Sequence, residues 1–229
     1  MKNILFNPFF GIMLSLMTYQ IGRYLSQKIK FILFNPLLIG IILSIFFLIF
    51  FNIPYEAYDK GGMLIKILIN PVATVVIGTS LHEQFKILKK NCFSILFSVF
   101  IGSIVAIVIT YTLGILGKFS SIFLYASLPK SVTLAVALDI GNKFGWETSL
   151  IAFMTVITGV TGAVMAPLVG KFIKYPVARG LAIGTSSHVI GTSKALELGE
   201  IEGAMSGLAV GLAAIFTSFL IPILLSFFN

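Results

Sequence analysis

Charge is the scarcest property of this 229-residue chain: only 10% of its residues are Asp, Glu, Lys or Arg, where soluble domains carry about 25%. So few charges cannot cover a solvated surface, which sets aside a water-soluble helical fold. Cysteine is nearly absent. Cys92 stands alone, and this rules out an intrachain disulfide and a cysteine metal cluster. Histidine occurs only at His82 and His188. The His82-Glu83 pair opens like a zinc-protease pattern, but Lys86 stands where the second ligand would be, so no metal site is expected. No cofactor and no enzymatic activity are expected either.

Acidic residues are also few: 8 Asp plus Glu against 16 Lys plus Arg leave a net charge of +8. The basic residues fall mostly in short connections between apolar runs, as the positive-inside bias and anionic head groups favour. Their expected partner is the lipid bilayer, not nucleic acid. The apolar run after Lys2 lacks a small-residue cleavage pattern and reads as a first span, not as a removed signal peptide.

What the chain has in abundance is apolar length. Several runs reach the ~20 residues that cross ~30 Å of hydrocarbon, and in lipid such runs must satisfy their own backbone as helices. Runs such as Leu37 to Phe51 are continuous, not alternating, which excludes a closed β-barrel. The expected fold is an all-α integral membrane protein: a single domain over 1–229, a polytopic helical bundle of seven or eight hydrophobic segments, two of them interrupted or re-entrant. Five ordinary spans are expected at Ile4 to Leu25, Phe34 to Asn52, Gly61 to Leu81, Phe93 to Leu116 and Ser149 to Gly170, and a last one at Glu202 to Phe228. Asn70-Pro71 should kink the third. Glycine at 203, 207 and 211 gives the last span a smooth face, which serves helix packing or a homo-oligomer contact.

Two stretches break this apolar background. In Phe119 to Asn142, the run Ser127-Leu128-Pro129-Lys130-Ser131-Val132-Thr133 leads into Asp139. A lysine or aspartate near the bilayer centre costs roughly 2.5 to 3.5 kcal/mol, so these residues need a use. Pro129 is suited to open a helix whose first amides, with the Lys130 charge, would attract a small carboxylate. Ser127, Ser131 and Thr133 add hydroxyls, and Asp139 offers a coupling proton. Equally, Lys130 could snorkel to an interface and Asp139 could cap a helix end.

The second stretch is Gly180 to Gly199, within residues 177–200. Thr185, His188 and Thr192 follow i, i+3, i+7 spacing, which on a regular helix places them on one polar face. His188 is a candidate for both substrate contact and proton relay. Glu197 is a further proton-coupling candidate, although Lys194 three residues earlier could pair with it instead. Pro71-Val72-Ala73 before Ile77-Gly78-Thr79-Ser80-Leu81-His82 echoes Pro176-Val177-Ala178 before Ile183-Gly184-Thr185-Ser186-Ser187-His188. The echo fits an internal inverted repeat of the kind transporters use, and it also fits chance.

Taken together, residues 127–133, Ala137-Leu138-Asp139-Ile140, Thr158 to Ala163 and Pro176 to Glu197 resemble the LrgB/CidB family of antiholin-like bacterial membrane proteins. Lys194 stands where the family often has Arg, and Ser186 and Val189 where Ala and Gly are frequent. The resemblance implies a multi-pass protein of the bacterial plasma membrane that modulates murein hydrolase activity and autolysis, beside a small holin-like partner of the LrgA/CidA type. Plastid relatives are similar to glycolate and glycerate carriers, and bacterial ones are linked to pyruvate and related acids. Two functions are therefore expected from different classes. One is a facilitator or proton-coupled transporter of small organic anions, monocarboxylates of the glycolate, glycerate or pyruvate class. The other is an antiholin-like structural regulator with no transported substrate.

Overall fold

The computed structural model describes residues 5–29, 36–64, 67, 82 and 85–228, and every regular element among them is an α-helix. The chain divides into two compact units, Met1–Val76 and Ile77–Asn229.

In the first unit, α1 (Pro8–Lys28) starts where Asn7 accepts a hydrogen bond from the Phe9 amide at 3.0 Å and Pro8 supplies a first-turn residue that needs no partner. It is followed by α2 (Pro36–Phe50) and by α3 at 55–64. The helices meet through small residues. A methyl group on Gly61 would lie 2.5 Å from the Pro8 carbonyl oxygen and 2.8 Å from the Gly11 Cα, so the backbones of α1 and α3 touch there. Polar side chains close the same contacts. The Thr18 and Ser44 hydroxyls lie 2.8 Å apart, as do those of Ser15 and Tyr58, which satisfies groups that lipid would leave unpaired. The sequence-based span at 61–81, its kink at Asn70-Pro71 and the first half of the echo fall largely outside the described residues.

The second unit holds α4 (Phe85–Leu116), α5 (Ser121–Ser127), α6 (Leu134–Phe144), α7 (Thr148–Phe172), α8 (Pro176–Leu198) and α9 (Glu200–Phe228). Among the described residues, three helical stretches are long and apolar enough to cross a membrane: Lys89–Leu116, Thr148–Phe172 and Glu200–Phe227. Each exceeds the ~20 residues a span requires. Their outer faces carry large apolar side chains such as Phe93, Phe97, Leu113, Phe153, Ile215 and Phe219, all exposed. A face of this kind suits lipid and not water. The chain is therefore a helical membrane protein.

The helical backbone is broken within both polar stretches. Between α5 and α6, residues 128–133 form turns, and α6 closes on Gly145, whose φ of 67° is easy only for glycine. The Trp146 amide reaches back to the Gly141 carbonyl at 2.9 Å, completing the cap, and the indole stacks between Tyr125 and Phe144. In α8 the break is at His188, with φ 43° and ψ −146° inside an otherwise helical run.

The core of this unit lies where α4, α8 and α9 meet, around Ile95, Val99, Leu181, Met205 and Ala209. A second cluster joins Ile107 of α4, Leu128 of the α5–α6 turn, Ile140 of α6 and Ile221 of α9. α8 and α9 approach most closely. Gly180 and Gly184 stand against the backbone of Glu202 and Ser206, with no room for a side chain between them.

Candidate functional site

A cavity of about 470 Å³ opens between α4, the α5–α6 turn and the first half of α8. Its α4 wall is Ser98, Gly102, Val105 and Ala106, its α8 wall includes Leu181, Ala182, Thr185 and Ser186, and Lys130 and Ser131 come from the turn. Polar residues from both stretches thus reach a shared space: Lys130 and Ser131 from the first, Thr185 and Ser186 from the second. Lys130 is half-buried, and no carboxylate lies within ion-pair distance of it among the described residues. An amine in a largely apolar wall, once protonated, is a natural partner for a small anion.

The local geometry of the turn differs from the expectation. Pro129 does not open α6. The helix starts at Leu134 with Thr133 at its cap position, and the amides of Lys130 and Val132 bond to the Ser127 and Pro129 carbonyls at 3.3 and 3.2 Å. Those amides serve the turn. The positive charge of the Lys130 side chain, and not a helix N-terminus at Pro129, is what the cavity receives. Ser127 is buried and donates to the Phe123 carbonyl at 2.6 Å. Thr133 is partly buried and Asp139 exposed, and neither they nor Ser127 line the cavity.

The single polar face expected for Thr185, His188 and Thr192 does not form. The non-helical dihedrals at His188 reorient everything after it, so the three side chains turn to three neighbours. Thr185 faces α4, where a methyl group on Gly102 would come within 3.0 Å of its Cγ2. The His188 Nε2 donates to the Thr155 carbonyl of α7 at 2.9 Å, and a methyl group on Gly159 would reach the imidazole Cε1 at 2.5 Å. Thr192 donates to the His188 carbonyl at 2.9 Å and accepts from the Ser206 hydroxyl of α9 at 2.8 Å. Beside the break, the Thr155 hydroxyl is fully buried and has no hydrogen-bond partner among the described residues. Glu197 is exposed and paired with Lys194.

Several contributors have no counterpart in the sequence-based site. Ser98 and Gly102 of α4 face the cavity from a span expected to be an ordinary one; their i, i+4 spacing of small residues within a bulky helix is the signal that marks them. Ser186 joins the cavity wall next to Thr185. Arg179 of α8 bonds Glu202 at 3.1 Å and also donates from Nε to the Ile173 carbonyl at 3.1 Å. With the guanidinium 19% and the carboxylate 8% exposed, this pair ties the start of α8 to the start of α9. Among the described residues no group of three or more His, Cys, Asp or Glu side chains could hold a metal ion.

Comparison with known proteins adds a family to this geometry. A model of the LrgB-like family matches residues 15–227. The chain is 34% identical over 223 residues to the antiholin-like protein LrgB of Bacillus mycoides (strain KBAB4), covering 96% of each chain. It is 33% identical, with the same coverage, to the antiholin-like proteins LrgB of Bacillus cereus (strain B4264) and Bacillus anthracis (strain CDC 684 / NRRL 3495). No solved structure matches the chain. A match that runs through both units and across the Lys130 turn and the His188 break places this chain in the LrgB-like family.

Proposed function

We propose that this protein is a multi-pass plasma-membrane facilitator or proton-coupled carrier of small monocarboxylates, of the glycolate, glycerate or pyruvate class, whose activity feeds into control of murein hydrolases and autolysis. In this reading the chain crosses the bilayer with seven or eight segments, two of them interrupted at the α5–α6 turn and at His188. The observation that carries it is the cavity with Lys130 in its wall, reached from both interrupted segments. The volume leaves room for roughly 15 waters at ~30 Å³ each, so a two- or three-carbon acid would enter with part of its hydration. One cation favours a monoanion over a dianion. Ser131 offers a hydroxyl to its carboxylate, whereas the Thr185 hydroxyl, which donates to the Leu181 carbonyl at 2.8 Å, can only accept a hydrogen bond from an acid that carries a hydroxyl of its own.

A second reading is supported by the printed names of the relatives: an antiholin-like regulator that acts on a holin-type membrane partner and moves no substrate. Labelled glycolate, glycerate and pyruvate uptake into proteoliposomes containing only this protein separates the two. The carrier reading expects uptake several-fold above empty liposomes for at least one acid. Uptake equal to empty liposomes for all three, with and without a pH gradient, would leave the antiholin-like reading standing alone.

A further inference from the structure

The candidates for proton coupling all turn away from the cavity. Asp139 is exposed on α6, Glu197 is exposed and paired with Lys194, and the His188 imidazole is buried against α7. The ionisable groups around Lys130 can be followed wall by wall. On α4, Lys89 and Lys90 lie two turns before Ser98, and Tyr111 packs in the cluster around Ile107 and Leu128. On α5, Tyr125 is stacked on Trp146, and on α6 both Asp139 and Lys143 are exposed. α7 has no ionisable side chain between Thr148 and Gly170. On α8, Arg179 is held by Glu202; on α9 the ionisable groups are Glu200 and that same Glu202. Among the described residues, Lys130 is the one ionisable side chain in the cavity wall.

We propose that Lys130 is both the anion contact and the proton carrier, so that one monocarboxylate and one proton cross together through a single site. The proposal rests on the carrier reading above. When loaded, the site holds an ammonium and a carboxylate, a neutral pair that low-dielectric surroundings tolerate. When emptied with its proton retained, it would hold a lone cation between apolar walls, which a bilayer disfavours strongly. The cycle confines that state to the water-open ends and never carries it across. On the loading side, the Nζ lone pair takes a proton from water and the carboxylate docks on the ammonium. On the unloading side, the carboxylate departs, the N–H bond breaks toward water, and the lone pair returns to Nζ. One negative and one positive charge have crossed, so the net charge moved is zero. An amine can run this cycle because it can shed its proton, whereas a guanidinium cannot.

The test uses labelled glycolate and proteoliposomes carrying an internal pH dye, with the membrane potential clamped by potassium and valinomycin. One proton should enter per glycolate, an inward gradient of one pH unit should accumulate the acid about tenfold, and a change of clamped potential should leave the rate unaltered. In Lys130→Arg, net uptake measured relative to glycolate exchange should fall at least about tenfold, because the unloaded site keeps its charge. Potential-driven uptake without proton movement would overturn the proposal and leave the carrier reading intact. An unchanged ratio in Lys130→Arg would also overturn it, as would proton movement lost in Asp139→Asn or His188→Gln but kept in Lys130→Arg. If Lys130→Arg supports neither net uptake nor exchange, the wild-type proton count and voltage response decide. Absence of any uptake above empty liposomes would overturn the carrier reading and this proposal with it.

Discussion

Lys130 and the glycines of α8 are the residues on which the most depends, for opposite reasons. The lysine carries a charge whose insertion costs roughly 2.5 to 3.5 kcal/mol, and the turn places it beside a cavity instead of in lipid. Gly184 matters because it has no side chain. It stands against the Ser206 backbone, and a methyl group there must push α8 and α9 apart. Gly184→Ala should destabilise the protein by about 3 kcal/mol, the upper range for overpacking, and lower the unfolding midpoint in detergent by several degrees. Gly211→Ala is the contrast. Nothing lies within 4 Å of its added methyl, so helix propensity alone acts and the midpoint should hold or rise slightly. A lower midpoint for Gly211→Ala than for Gly184→Ala would refute this account of the α8–α9 contact.

At the scale of elements, α8 is two half-helices with different attachments. Its first half lines the cavity and is joined to α9 by Arg179–Glu202; its second half is held by the hydroxyls of Thr192 and Ser206. The backbone at His188 lies in a region that costs a non-glycine residue about 1–3 kcal/mol, and the Thr155 carbonyl and the space at Gly159 hold it there. Glu202→Gln leaves the Arg179 guanidinium half-paired near the break-bearing helix. It should cost about 2 kcal/mol, less than a fully buried pair because Arg179 retains some solvent contact. Glu200→Gln, at an exposed position, should change stability by less than about 0.5 kcal/mol. Thermal unfolding of both variants in the same detergent checks this, and equal losses would remove the special role of the Arg179–Glu202 pair.

The elements also show what a linear sequence can convey. Apolar run length marked the ends of α7 and α9 within two residues, and the proline and lysine at 129–130 marked the first break, because polar atoms in lipid demand explanation. The second polar stretch was legible as unusual, but not its facing. Helical periodicity carries a side-chain direction forward only while φ and ψ stay helical, and one left-handed residue at His188 sent Thr185, His188 and Thr192 to α4, α7 and α9. Arg179 and Glu202 were invisible as a pair because 22 residues and a helix connection separate them. Only the close approach of α8 and α9 through Gly180 and Gly184 brings them together.

At the scale of the whole molecule, the family match extends through residues 15–227, and the cavity lies in the unit that carries the three long apolar helices found among the described residues. A regulator that only docks on a partner has no evident need for a lysine that has no ion-pair partner among the described residues at the wall of a cavity between its helices. A carrier does. The most direct measurement is labelled glycolate uptake into proteoliposomes reconstituted in parallel with the wild type, Lys130→Ala and Lys90→Ala. Lys90 is exposed on α4 and lies outside the cavity wall. Lys130→Ala is expected to lose at least about tenfold in uptake, the factor that corresponds to 1.4 kcal/mol, while Lys90→Ala stays within about twofold of wild type. Equal losses in the two variants would return Lys130 to the role of an ordinary interfacial lysine and contradict the assignment of the cavity as an anion site.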